Sequence, residues 1–271
     1  MDPPVGRVRF APVKSAWLWT MILTGAVGAV VATPRALAVA VVLHVITLCI
    51  GHSVGLHRGI IHRSYRASRI VLGVLAYLAV LTGLGGPLTW IRMHAVRDYW
   101  QNQPACPAYL GYRHSLARDF VWNLHCKFQT FDDRADARLP AGLFNDPWLR
   151  FLELTWSLHV LLLALVIAVV ASPAAAATIV GTRTAAALLG HWFITYAAHR
   201  WGTQPHVTPG AAESGTNVWV LGVLSFGEGF HNHHHAFPRS ARMGRAPHEL
   251  DLGWLTVRAM CALGLARDVR S

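Results

Sequence analysis

The chain has 271 residues, 54% of them hydrophobic and only 14% charged, whereas soluble domains carry roughly 25% charged residues. That balance excludes an ordinary soluble domain and belongs in a bilayer. The formal charge of +11 comes almost wholly from arginine and is spread along segments flanking apolar runs. No recognition element gathers it, so nucleic acid is excluded as a partner, and phospholipid headgroups or an acidic redox protein are expected instead.

A bilayer span needs about 20 apolar residues. In chain order, residues 15–32 and 36–56 are the first two candidates, joined by Thr33-Pro34-Arg35 into a helical hairpin. No cleavable signal peptide is expected, because the first apolar run continues past signal length. Residues 70–85 are shorter and end in Gly-Leu-Gly-Gly-Pro, which reads as a re-entrant or membrane-surface helix, with a full span as the alternative. Residues 152–171 and 178–198 form a second hairpin around Ser172-Pro173, with Arg183 near one end of the last span. If the N-terminus is cytosolic, only Arg35 and Arg183 lie on the far side and every other Lys and Arg is cytosolic, as the positive-inside rule requires.

The expected fold is therefore an all-α integral membrane protein in one domain, residues 1–271. Four transmembrane helices in two hairpins are joined by the re-entrant or interfacial helix. A cytosolic helical cap from residues 57–150 and 199–271 holds a metal site, and both termini are cytosolic. The four cysteines, Cys49, Cys106, Cys126 and Cys261, form no CxxC pair. No disulfide framework is expected, which fits a reducing compartment.

The same topology collects the histidines on one membrane face. His231, His234 and His235, within His231-Asn232-His233-His234-His235-Ala236-Phe237-Pro238, stand at i, i+3 and i+4. A helical turn there would aim three imidazoles at one point, and neutral imidazole suits iron, copper, zinc and nickel. A purification tag would sit at a terminus and lack the ordered Asn, Phe and Pro. His57 and His62 lie i, i+5 apart, about 140° on an ideal helix. That predicts different metals, or a helix end between them, and His52 is a rival for the first position. His94 and Asp98 are i, i+4, and a carboxylate can join imidazole on iron. Arg97 stays protonated and cannot ligate; an ordinary Arg97–Asp98 ion pair is the alternative for Asp98. His199, at the end of the last span, reads as a ligand or a satisfied polar cap. His44, His159 and His191 read as packing residues, and His114, His125, His206 and His248 as surface or supporting ones.

Together these blocks resemble the membrane fatty acid desaturases, the acyl-CoA branch in particular, from about the first span to the C-terminus. The motifs are His57-(x4)-His62 with Arg63-Ser64-Tyr65; Gly86-Pro87-Leu88-Thr89-Trp90; Asn145-Asp146-Pro147-Trp148; Ala198-His199; and Gly227-Glu228-Gly229-Phe230 leading into the His231–His235 run. The resemblance implies two iron ions on the cytosolic side, held by His57, His62, His94, His199, His231, His234 and His235. It implies dioxygen as co-substrate and removal of two hydrogens from a long-chain acyl substrate, carried on coenzyme A, acyl carrier protein or lipid. Electrons would come from an external donor such as a ferredoxin or a cytochrome b5-like protein. The family's second box, His-x-x-His-His, is here His94-Ala95-Val96-Arg97-Asp98. Two imidazoles are missing, so one metal is expected to be weakened or lost, with Asp98 as a substitute anionic ligand. Asn232, Glu228, Thr195, Arg97 and Trp90 are expected around the ligands or the substrate, Thr195 standing where the family often has Asn. A hydroxylase or other oxygenase, a metal-poor lipid-binding homologue, and a one-metal hydrolase using Glu228 are the alternatives.

Overall fold

Prolines and short hydroxyl or carboxylate side chains punctuate the apolar runs and decide where the helices begin. In the computed structural model, which describes residues 5–132, 134–136, 139–140 and 142–271, β1 (Gly6–Phe10) leads into α1 (Pro12–Val30) and α2 (Pro34–Ile61). Next come β2 (Arg66–Ala67), α3 (Arg69–Val80), α4 (Pro87–Gln101), α5 (Leu116–His125), β3 (Cys126–Thr130) and α6 (Pro147–Val170). A continuous helix over residues 173–200, α7, follows, then α8 (Trp219–Leu224), α9 (His231–Ala236), α10 (Leu252–Ala262) and β4 (Ala266–Arg267). Among the described residues, three helices, α1, α2 and α6, are long and apolar enough to cross a membrane.

Each long helix starts earlier than its apolar run. Proline occupies the first turn of α1, α2, α6 and α7, where its missing N–H costs nothing. Thr33 Oγ1 accepts from the Ala36 amide at 3.2 Å and Ser172 Oγ from the Ala175 amide at 3.0 Å. Asp146 Oδ1 accepts from the amides of Trp148 and Leu149 at 2.9 and 3.1 Å. Hydropathy alone misses these caps, whose oxygens accept from the helix's orphan N–H donors.

The helices approach closely through small residues, as bilayer helices do. Thr178 and Thr182 of α7 donate to the carbonyls of Gly28 and Gly25 in α1 at 2.8 and 2.9 Å. A Cβ on Gly51 of α2 would stand 2.4 Å from the Ala79 amide nitrogen of α3. Arg183 departs from its expected position near the end of a span: it lies ten residues into α7, only 2% exposed. It donates to Thr47 Oγ1 at 3.1 Å and to the Leu81 carbonyl at 2.8 Å. The guanidinium is accommodated because α2 and the end of α3 offer oxygens there.

The stretch 70–85 yields a 12-residue helix, α3. Gly83 and Gly85, at φ +78° and +131°, then turn the chain into α4. Glu153 of α6 receives the amides of Leu88 and Thr89 at 2.8 and 3.1 Å, fixing the start of α4. Leu56, Ile60, Ala76, Val80, Ile91 and Leu152 bury one core shared by α2, α3, α4 and α6.

Two corrections to the expected all-α fold follow. First, β1 pairs antiparallel with β3, and β2 with β4. The β1 strand has the period-2 alternation of a strand, hidden in a segment that reads as a basic flank. Second, α2 does not stop at residue 56 but runs to Ile61, and from Val45 it widens into a π-helix. The His62 amide accordingly donates to the His57 carbonyl at 3.1 Å, an i→i+5 bond.

Candidate metal centre

That i→i+5 register decides how the first pair of histidines is used. On an α-helix His57 and His62 would point apart, but the π register has more than four residues per turn and brings i and i+5 onto one side. Their ring centroids are 4.8 Å apart. The expectation that they serve different metals is therefore overturned, although His62 does cap the helix.

Among the described residues, two groups of imidazoles offer ligand atoms within 4.8 Å of one another: His57, His62, His94 and His234, and separately His199, His231 and His235. α9 feeds both. The expectation that its three histidines converge on a single point is corrected by helix geometry. Neighbours such as His234 and His235 leave the axis about 100° apart, so His234 turns to the first group while His231 and His235, one turn apart, join His199. The groups adjoin, with the His231 and His234 rings 5.4 Å apart.

The donor set fits metal ions. His62 Nε2 and His94 Nε2 are 3.2 Å apart, and His231 Nε2 and His235 Nε2 are 3.1 Å apart. Two nitrogens each about 2.1 Å from a shared ion and at roughly right angles would be separated by about that much. His57 Nε2 and His199 Nε2 are buried with no hydrogen-bond partner, a costly arrangement for ring nitrogens unless something binds there.

The opposite ring nitrogens are tied back, as ligating imidazoles usually are. His199 Nδ1 meets the Thr195 carbonyl at 2.8 Å, so Thr195 acts through its backbone while its hydroxyl returns to the His191 carbonyl. His57 Nδ1 lies 2.6 Å from Glu228 Oε2. His94 Nδ1 lies 3.0 Å from Asp98 Oδ1, and the other Asp98 oxygen is 3.9 Å from His62 Nε2. Asp98 thus belongs to neither group and touches His94 from behind. Burial opposes charge on both members of this pair. Even so, the carboxylate lifts the His94 pKa above its usual value, and His94 holds Asp98 well below the carboxylate range. Burial pushes His231 and His234 well below the usual imidazole value and His235 down to about 4. All three are therefore neutral around pH 7, the form of imidazole that can bind a metal.

The remaining expected residues surround this core. Arg97 does not pair with Asp98; it donates to the Tyr112 hydroxyl and to Asn123 Oδ1, and the Tyr112 ring stacks on His199 at 4.1 Å. Trp90 packs edge-on against His94 and His52, with centroids 5.2 and 4.3 Å apart. His52, the rival for the first ligand position, lies against Trp90 and His191 and joins neither group. Asn232 donates to the carbonyls of His206 and Ser214 at 2.7 and 2.8 Å and accepts from the His206 amide, fastening α9 to the preceding loop. His233 turns away to Glu249, 3.1 Å distant.

Sequence reasoning missed Arg58. Its side chain is fully buried and reaches Glu228 Oε1 at 2.8 Å, Asp251 Oδ1 at 3.0 Å and the Ala241 carbonyl at 2.9 Å. It fastens the His57 segment to the segment that carries His231–His235. The available signal was an arginine inside an otherwise apolar span, which is functional by default.

Two adjoining imidazole groups in a chain with membrane-length apolar helices, backed by carboxylates and a carbonyl, are a framework suited to a membrane oxidoreductase. Residues 32–270 match the fatty acid desaturase family, and the chain belongs to that family; it is a fatty acyl desaturase of lipid metabolism. It is 28% identical to an sn-1 stearoyl-lipid 9-desaturase of Synechocystis, over 87% of this chain and 72% of that one. It is 30% identical to a chloroplastic palmitoyl-monogalactosyldiacylglycerol delta-7 desaturase of Arabidopsis thaliana, over 87% of this chain but only 62% of that enzyme. An acyl-CoA C20 Delta5-desaturase of Anemone leveillei is 29% identical, over 84% and 72%.

Proposed function

We propose that this chain is a four-span desaturase with its termini and metal centre on the cytosolic side, one iron in each imidazole group, and an acyl chain of a lipid or of coenzyme A between them. The observation that carries this reading is the meeting of seven imidazoles from α2, α4, α7 and α9 in two adjoining groups. Names of relatives, which include both lipid and coenzyme A substrates, support the acyl class.

α7 is the fourth span in this reading. At 1.5 Å per residue it is about 42 Å long, and its polar Thr178, Thr182 and Arg183 are spent on bonds to neighbouring helices. With Arg183 inside the bundle, Arg35 is the basic residue left on the far side, and the positive-inside argument is strengthened. α3 and α4 then form a re-entrant hairpin whose turn, residues 81–86, meets Arg183 and Trp17.

When bound, the metals supply the activation of dioxygen, with two outside electrons completing its reduction to water. The chain's own residues do the rest. A cavity of about 130 Å³ lies among His57, Trp90, Met93, His94, Ile194 and His199. Its apolar walls can hold a stretch of methylene chain beside both groups and exclude water. Glu228, Asp98 and the Thr195 carbonyl hold three imidazoles in one tautomer and orientation. Trp90 lies between this cavity and a void of about 10 Å³ lined by His52, Leu56, Val80 and Thr82.

The test is iron analysis of protein purified after iron-replete expression, with mass spectrometry of the host's acyl chains. Iron in both sites and new alkenes support the reading. Alcohols would make the protein an oxygenase, and metal-free protein would make it a lipid-binding homologue.

A further inference from the structure

The corner where the chain enters α1 carries charge that the metal centre does not use. Lys14 reaches back from α1 to the carbonyls of Asn123 and Cys126. Ser15 Oγ meets His125 Nδ1 at 2.7 Å, and the Ala11 amide donates to the His125 carbonyl at 2.9 Å. These bonds hold the β1–β3 ribbon at a fixed place beside the first turns of α1. Side chains alternate across a strand, so Arg7 and Arg9 share one face with their cross-strand neighbours Gln129 and Lys127. Arg7 Nε and Arg9 Nη1 both donate to Gln129 Oε1, at 2.9 and 3.4 Å, which draws the two guanidiniums together. Arg9 stands directly opposite Lys127, a like-charge pair that costs stability unless an anion lies between them. A cavity of about 510 Å³ opens there, lined by Arg9, Lys14, Lys127 and Gln129 together with Phe10 and Val13. Among the described residues, no carboxylate lines it.

The apolar neighbours decide which kind of anion fits. Phe10 is 65% exposed and Val13 78%, and they stand at the start of a helix long and apolar enough to cross a membrane. Val13, Leu23 and Val27 are all exposed and fall within one face of α1 at 100° per residue. A soluble anion would gain nothing from this stripe, whereas a phospholipid would use both parts. We propose that the β1–β3 ribbon is a binding site for an anionic phospholipid, with its phosphate between Arg9 and Lys127 and its acyl chains along Phe10, Val13 and the exposed face of α1. Basic residues beside an apolar face at a bilayer surface add electrostatic attraction to apolar burial. Because the ribbon is bonded to α1 and α5, a bound lipid would also set the height of α1 in the bilayer. This site depends on the proposed reading only for α1 crossing the bilayer, and is independent of the reaction at the metal centre.

The test is native mass spectrometry of the full chain in detergent, titrated with phosphatidylglycerol and, separately, with phosphatidylcholine. The unmodified protein should bind phosphatidylglycerol more tightly. Arg9→Gln combined with Lys127→Gln should weaken that binding by about 25-fold, at roughly fivefold per charge removed, and leave phosphatidylcholine binding unchanged. Arg9→Lys with Lys127→Arg should keep the preference. Arg239→Gln with Arg267→Gln, two exposed arginines on other segments, should not alter it. An unchanged affinity in the first glutamine variant would overturn the proposal, and so would an equal loss in the second, which would reduce the effect to net charge. Displacement of the lipid by excess inorganic phosphate would overturn it in favour of a soluble anion. Tighter binding of poly-glutamate than of phosphatidylglycerol would overturn it in favour of an acidic protein. Iron content and acyl products are separate readouts, so failure of the lipid site and failure of the desaturase reading are distinguishable.

Discussion

The placement of Asp98 behind His94 gives a sharp expectation. Its carboxylate lies 3.0 Å from His94 Nδ1, on the side of the ring opposite the 3.2 Å contact between the Nε2 atoms of His94 and His62. In that position it fixes the ring and, with a metal bound, would raise the basicity of Nε2 as a ligand. Loss of such a partner usually costs 10–100-fold in metal affinity, or about 1.4–2.7 kcal/mol. Asp98→Asn keeps the shape and removes the charge. We expect both sites still to fill at saturating iron, with the four-imidazole site weakened by about that factor in a chelator competition followed by elemental analysis. An affinity indistinguishable from the unmodified protein would refute the supporting role. Complete loss of one metal at saturation would refute it in the other direction, because it would make Asp98 itself a ligand.

His234→Ala should empty the four-imidazole site while His199, His231 and His235 keep theirs; iron content reads this directly, and retention of both metals would contradict the grouping. Arg58→Met removes the cation between Glu228 and Asp251, and leaving buried charge uncompensated costs about 3–5 kcal/mol. A large drop in the thermal midpoint in detergent is expected, and an unchanged midpoint would mean that the clamp contributes little. Gly51→Ala forces a Cβ into the Ala79 backbone and should destabilise by about 1–3 kcal/mol, whereas Gly190→Ala on α7, where nothing lies within 4 Å, should be mild. Similar melting of the two variants would count against close α2–α3 packing.

Much of this architecture was legible because its signals are local. Apolar runs separated by Thr33-Pro34 and Ser172-Pro173 marked the hairpins, and the histidines that assemble into the two groups stood out as a set. What escaped was register and partnership. An ideal helical wheel rotates His57 and His62 apart, and nothing in their spacing announces the π turn that unites them. The division of His231, His234 and His235 between two groups depends on His94 and His199 arriving from opposite sides. Arg97 looked like the natural partner of Asp98, one residue away, yet adjacent residues on a helix face different directions. Its actual partners, Tyr112 and Asn123, are brought to it by the fold.

The Arg58 clamp also sets a timetable. Its carboxylate partner Asp251 lies 193 residues downstream, and at about 5–20 residues per second that interval takes on the order of 10–40 s to synthesise. Until Glu228, 170 residues downstream, and then Asp251 have been made, the Arg58 guanidinium near the end of α2 lacks both carboxylate partners. The clamp on α2 can therefore close only when the last quarter of the polypeptide has emerged. Packing at the end of α2 is in this sense completed by the C-terminal part of the chain.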